Sequence, residues 1–334
     1  LPRINYEGFS FDGSGNIIPN SGCGSWLFEP QSTNLITQSE LFSDAIWLKE
    51  DNATLGLNTY LSPSGENNAS ELNLPNTLSR ITYVLNTTGV YTFSVYLRSD
   101  TDGTISIRSA TGNPSVEQQV SLTSQWKRFD ISVTDGNYWQ VIKKASDTLT
   151  SVYIWGAQLE QQSYATSYIP TNGSQVTRNQ DVCTNGGSLA TINSTEGVLY
   201  AEIAALADDA TRRTITISDG TISNRIVLRY DNASNRIQGF IQVGGSTNGN
   251  INTTSFTITT FLKIAYKWKA GDFALWVNGN EVATSIDANS FSADTLNVID
   301  LNEPISQSFY GKTKALAVWK EALSDQELTA LTTI

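Results

Sequence analysis

Five side chains in the first half of the chain have the types and spacing to read an acidic sugar: Tyr96, Arg98, Arg108, Trp126 and Arg128. Successive side chains of a strand point to opposite faces, so Tyr96 and Arg98 share a face with Thr92 and Ser94, and Tyr91, Phe93, Val95 and Leu97 share the other. The same alternation sets Arg108 and Ser106 against Ile105 and Ile107. It also sets Trp126, Arg128, Asp130 and Ser132 against Phe129, Ile131 and Val133. The apolar sets are core faces, which leaves three arginines and two aromatics on the polar side of three strands. Guanidinium forks match carboxylates and sulfates, and flat rings stack on the C–H faces of pyranoses. Blander arrangements compete with a ligand patch. Trp126 opens its strand and could simply cap an edge, Asp130 could pair with an arginine, and the three strands need not be neighbours.

Lys267 and Trp276 make a second pair. In the hairpin around Lys269 to Asp272, pairing Trp268 with Phe273 places Ile264, Tyr266, Trp268, Phe273, Leu275 and Val277 on one face. Trp276 then lies on the other face beside Ala265 and Lys267. Either a ligand, an interdomain contact or a neighbouring subunit covers it.

Composition excludes several kinds of chemistry. The chain has no histidine, which removes the usual general base near neutral pH and the commonest metal ligand. An enzyme would need paired carboxylates, for which Asp130, Glu202 and Glu281 are candidates, and the reading favours a protein without catalysis. Thirty-two acids against twenty-one bases give a net charge of −11, which repels nucleic acid and anionic bilayers. No apolar run is long enough to span a bilayer. Two cysteines, Cys23 and Cys183, cannot build a structural zinc site, and are either two thiols or a disulfide. They bracket the first domain and are expected to lie close together; a bond between them would close a loop worth about 4 to 5 kcal/mol. The sequence opens at Leu1 in mid-pattern and contains no methionine, which suggests a part of something longer.

The elements that must position these residues are strands. At 334 residues two domains are the first expectation. From Leu41 onward, short β-type runs alternate with turn residues at sandwich spacing, and the pattern resumes after residue 193. The fold class is therefore all-β, two β-sandwich domains of jelly-roll type in tandem with a short C-terminal helix. Residues 1–40 are expected to be an irregular segment packing on a neighbour, 41–171 the first sandwich, 172–192 a linker and 193–334 the second sandwich. The run from Val152 mixes apolar residues on both parities, as in a strand covered on both faces, and Tyr164, Tyr168 and Ile169 then pack along the first domain. Ser324 and Glu327 form a capping box for a helix over SDQELTALT.

Three motifs of the second domain, EGVLYAEI at Glu196, FALWVNGNEVAT at Phe273 and FYGKTKALAVWKEALSDQEL at Phe309, resemble the laminin-G-like, concanavalin A-like sandwich. In the first domain NLITQSELFSDAIW, WKRFDISV and VYIWGAQLE are similar to a carbohydrate-binding-module jelly roll. The whole order, PRINYEG, LFEPQSTNLI, GAQLE with SYIPT and the laminin-G-like close, resembles tail-fibre and other surface proteins of bacteriophages. That resemblance implies a homotrimer on the virion surface, with other virion proteins and a host-surface glycan as partners, serving adhesion or display. A glycan-degrading depolymerase and a secreted bacterial adhesin are the alternatives. Calcium-binding jelly rolls usually carry an aspartate in the last strand; here that stretch reads Ile154, Trp155, Gly156 and Ala157, so no motif supports calcium. The acidic turn Asp208 and Asp209 is as well explained by solvation.

Overall fold

The computed structural model describes residues 24–110, 115–301 and 307–334, together with the backbone of three short strands before residue 20. It divides into two compact units, residues 31–179 and residues 1–30 with 180–334. Both are built of strands, with one helix among the described residues, between 325 and 332.

In chain order β1 (Arg3–Asn5), β2 (Phe9–Phe11), β3 (Ile17–Pro19) and β4 (Ser25–Phe28) come first. Then follow β5 (Ser32–Asn34), β6 (Trp47–Glu50), β7 (Thr54–Leu61), β8 (Asn67–Asn73), β9 (Arg80–Val84) and β10 (Val90–Arg98). The unit of residues 31–179 ends with β11 (Gly103–Ala110), β12 (Val116–Leu122), β13 (Lys127–Thr134), β14 (Tyr138–Ile142), β15 (Ser151–Glu160) and β16 (Val176–Arg178). Its strands form two five-stranded antiparallel sheets, ordered β13-β10-β15-β8-β7 and β12-β11-β14-β9-β6, with a β5–β16 ribbon beside them. The alternation read from sequence holds: Phe93, Val95, Leu97, Phe129, Ile131 and Val133 face Ile105, Ile107, Trp139 and Val141 in one buried core. Each such side chain contributes about 1.5 to 3 kcal/mol by leaving water.

The remaining strands are β17 (Glu196–Ala205), β18 (Arg213–Ser218), β19 (Arg225–Tyr230), β20 (Ile237–Val243) and β21 (Ser246–Thr253). After them come β22 (Leu262–Lys269), β23 (Phe273–Val277), β24 (Asn280–Ser285), β25 (Val298–Asp300), β26 (Gly311–Trp319) and α1 (Asp325–Thr332). A seven-stranded sheet, β1-β4-β26-β17-β22-β23-β24, packs on a five-stranded one, β21-β20-β19-β18-β25. Between them lie Ile264, Tyr266, Trp268, Phe273, Leu275 and Val277, the face expected of the hairpin. The molecule is all-β: tandem sandwiches and a C-terminal helix, whose Ser324 accepts from the Glu327 N–H while the Glu327 carboxylate accepts from the Ser324 N–H.

Two expected boundaries differ. The expected irregular segment of residues 1–40 contains strands: β4 sits between β1 and β26 in the seven-stranded sheet, and β5 pairs with β16, inside the expected linker of 172–192. Three- and four-residue strands are too short to show a period, yet their backbone groups still need partners once buried, as Ser25, Ser32 and Asn34 are.

β15 is buried along nearly its whole length, as its mixed parity suggests. Gly156 has φ +62, and there the register with β10 shifts between Ser94 and Tyr96. Beyond this bulge Gln158 and Glu160 point outward and hold the return segment. The Gln158 Oε1 accepts from the Ile169 N–H at 2.7 Å, and the Glu160 carboxylate accepts from the Thr166 N–H at 2.7 Å. Residues 161–171 thus lie along the outer face of the β13-β10-β15-β8-β7 sheet.

Candidate functional site

The structure brings four of the five patch residues to one face of one sheet and puts the fifth elsewhere. Tyr96 and Arg128 are direct cross-strand partners on β10 and β13, and Arg98 and Trp126 follow at the same end of those strands. Arg108 belongs to β11, in the other sheet, where its Nε donates to Gln140 Oε1 at 2.7 Å. Alternation fixes a side chain's face within a strand but not the sheet that the strand joins. Gln140 passes the chain of bonds to Thr82 at 3.0 Å and Thr82 to Glu50 at 2.6 Å. Burial, then the charge of Arg80, lowers the Arg108 pKa from its ordinary value.

The shared face is itself divided. Tyr96 and Arg128 lie under the return segment, where Arg128 donates to the Thr166 carbonyl and, at 2.7 Å, to Ser94 Oγ. Tyr96, Trp155 and Tyr168 form an aromatic cluster with centroids 4.7 to 6.2 Å apart, and Tyr168 donates to Ser39 Oγ at 2.7 Å. Burial pushes the Tyr168 phenol well up. These two patch residues therefore fasten a covering segment.

Arg98 and Trp126 stand clear of that segment. The Arg98 guanidinium lies 3.9 Å from the Tyr153 ring centre and 5.5 Å from that of Trp126, and pairs with Asp100 at 2.8 Å. Tyr153 donates to the second Asp100 oxygen at 2.7 Å. Tyr153 also meets Tyr60, with ring centroids 4.7 Å apart, and Tyr60 and Ser151 both donate to Glu71, at 3.1 and 2.7 Å. The Trp126 indole is held by Nε1 donating to the Leu61 carbonyl at 3.0 Å. Beside this cluster is a polar groove of about 260 Å³ lined by Glu71, Asp100, Tyr153 and the hydroxyls of Thr101, Thr148 and Ser151, among others. The hydrogen bond to Asp100 pushes the Tyr153 pKa up to about 12, and the same bond, followed by Arg98, holds Asp100 below the usual carboxylate range.

Sequence reasoning missed Tyr60, Glu71, Asp100 and Tyr153. Tyr153 carried a signal, because β15 parity puts it on the same outward face as Trp155. Asp100 sits in a turn and Tyr60 and Glu71 in polar strands, where nothing marks one residue above its neighbours.

Lys267 and Trp276 are not a ligand platform. Trp276 is 6% exposed and packs with Val198, Tyr200, Ala265, Ala274 and Leu328 beneath α1, so the cover is the unit's own C-terminal helix. Lys267 is 4% exposed, with Nζ 2.8 Å from Asp272 and 3.6 Å from Asp325. Of the cysteines, Cys23 lies outside the described residues. Cys183 is partly buried and has no disulfide partner among the described residues; burial, then Asp300, raises its thiol pKa. Asp208 accepts from the Asn235 N–H at 3.1 Å, and Asp209 pairs with Arg213 at 2.9 Å. Among the described residues no cluster of three carboxylate or thiol side chains could hold a metal ion. Asp130, Glu202 and Glu281 fall on β13, β17 and β24, and none lines the groove.

Neither a protein-family model nor a curated protein matches the sequence. Solved β-sandwich structures do. The CBM40 module of a Ruminococcus gnavus IT-sialidase, bound to α2,3 sialyllactose, is 18% identical with a TM-score of 0.36, over 42% of this chain and 83% of that one. A SAP-like pentraxin from Limulus polyphemus is 15% identical, TM-score 0.35, over 44% and 72%. Galectin-Ib from Xenopus laevis is 12% identical, TM-score 0.30, over 41% and 99%. None of the three is a bacteriophage protein.

Proposed function

We propose that this chain is a glycan-binding protein without catalytic activity, and that the unit of residues 31–179 holds sugar in the groove beside Arg98. The observation that carries this reading is Arg98 set against the rings of Tyr153 and Trp126 beside a cleft lined by carboxylates and hydroxyls. The cleft offers a dense set of donors and acceptors, and the Trp126 indole across Arg98 from it offers flat apolar surface, the two things a pyranose ring presents in return. Arg98 is already neutralised by Asp100, and Glu71 adds a further negative charge, so the groove favours an uncharged sugar over an acidic one. The finer reading, a homotrimeric bacteriophage fibre displaying this groove from the virion surface, is supported by the order of sequence motifs alone; labelling of purified particles and light scattering test it.

A glycan array on the intact protein, repeated with Trp126→Ala and Arg98→Ala, tests the site. Retained circular dichroism with binding weakened about tenfold, ~1.4 kcal/mol, is the expected result. Variants that bind as the parent does would remove the groove from the reading, and release of reducing ends from a bound polysaccharide would favour a depolymerase.

A further inference from the structure

A second cleft lies at the other end of the same two strands. The Arg98 groove gathers residues just past the end of β10 and at the start of β15, whereas a cleft of about 440 Å³ gathers Tyr91, at the start of β10, with Gln161 and Gln162, just past the end of β15. At about 3.3 Å per residue the two are roughly 25 Å apart along β10. This volume falls within the range of about 300 to 1,000 Å³ typical of small-molecule sites.

The chemistry of this cleft is unlike that of the groove. Tyr91 and Leu35, both packed against the core cluster, give it apolar surface, and the β5–β16 ribbon contributes Thr33 and Thr177, whose hydroxyls meet at 2.8 Å. Four carboxamides, Gln31, Gln161, Gln162 and Gln175, complete most of the lining, which contains no aspartate, glutamate, lysine or arginine. Gln162 Nε2 donates to the Gln31 carbonyl at 3.3 Å, and the side-chain amides of Gln31, Gln161 and Gln175 make no hydrogen bond to protein among the described residues. The backbone beneath is pinned. The Gln162 carbonyl accepts from Thr92 Oγ1 at 2.8 Å and its N–H donates to the Glu160 carbonyl at 3.0 Å, while Ser32 is anchored to Glu160 at 2.5 Å.

We infer that this glutamine-lined cleft is a second saccharide site, selective for uncharged sugars. A carboxamide presents a donor and an acceptor side by side, which is the pattern of two vicinal hydroxyls, and several of them on a fixed frame recognise a polyol without any formal charge. An apolar floor receives the C–H face of the ring. With no formal charge among the lining side chains, affinity is insensitive to salt. The inference rests on this cleft alone and stands whether or not the Arg98 groove binds sugar.

Calorimetric titration of the full chain with cellotetraose, maltotetraose and chitotetraose tests it, alongside two double variants. Gln161→Ala with Gln175→Ala changes two exposed side chains and leaves the fold intact, as a melting curve verifies. The expected result is binding of at least one neutral tetrasaccharide that survives Arg98→Ala with Trp126→Ala, is independent of salt, and weakens about tenfold or more in the glutamine variant. No binding of any of the three at millimolar concentration overturns the inference. So does binding that the glutamine variant leaves unchanged, or a preference for tetragalacturonate over the neutral sugars. Loss of all binding in the Arg98 and Trp126 variant alone would leave the groove as the sole site and would equally overturn it.

Discussion

Glu160 is fully buried, and its hydrogen-bond partners are neutral: Ser32 Oγ at 2.5 Å, Gln158 Nε2 at 2.8 Å, and the N–H and Oγ1 of Thr166 at 2.7 and 2.6 Å. One side chain therefore ties β5, β15 and the return segment together. Glu160→Ala strands four donors, and is expected to lower stability by about 3 kcal/mol or more, read as a fall in the urea midpoint. Glu160→Gln still offers an acceptor and should cost less; equal losses would show that acceptance is not what Glu160 supplies. At the groove, Asp100 is the carboxylate held below its ordinary range. Its folded pKa is depressed by the Tyr153 hydroxyl and then by Arg98, so its contribution is present above the unfolded value of about 3.9 and is lost as pH falls through the folded one. Sugar affinity at the groove should be level from about pH 8 to pH 5 and change only below about pH 4. In Asp100→Asn that acid limb should vanish; its persistence in titrations of the variant would assign the limb to another carboxylate.

At the scale of elements, the strands with clean alternation were legible and the contacts between elements were not. Tyr91 to Arg98 declared its two faces in sequence, and the structure keeps them. What sequence withheld was which sheet β11 joins, so Arg108 was grouped with arginines it does not meet. The return segment was foreseen to pack on the first sandwich, but not that it would land on Tyr96 and Arg128 and close that half of the patch. The helix shows the same split. Its capping box depends on residues three apart and is readable, whereas its role as the cover of Trp276 joins positions some fifty residues apart and depends on tertiary packing. That cover can be removed. Leu328, on the inner face of α1, is fully buried, and Leu328→Ala should cost about 2 to 5 kcal/mol and loosen the helix from the sheet. A red-shifted tryptophan emission should accompany the loss, and unchanged emission with a native melting point would mean that α1 is not what keeps Trp276 dry.

At the scale of the molecule, the two units have separate cores. The cluster around Phe93, Ile107 and Trp139 belongs wholly to residues 31–179, and those around Tyr266 and Trp276 belong to the other unit. Each buries enough apolar surface to fold as a cooperative body, so calorimetry should resolve two transitions. Asp231 tells them apart. It is 4% exposed, and three arginines surround it: Arg212 at 2.8 Å, Arg229 at 3.1 Å and Arg236 at 3.5 Å. Burial by itself would raise its pKa, but the bond from Arg212, the Asn232 N–H and the charges of Arg229 and Arg212 outweigh it and leave the pKa lowered. A depressed carboxylate stabilises the fold above its unfolded value of about 3.9 and loses that contribution as pH falls through the folded value. Acidification from neutral to about pH 3 should therefore lower the transition of the unit that contains Asp231. In Asp231→Asn that same transition should already be low at neutral pH and should shift less on acidification, while the other keeps its parent behaviour. A single transition at neutral pH, or an Asp231→Asn variant in which both transitions move together, would show that the units unfold as one.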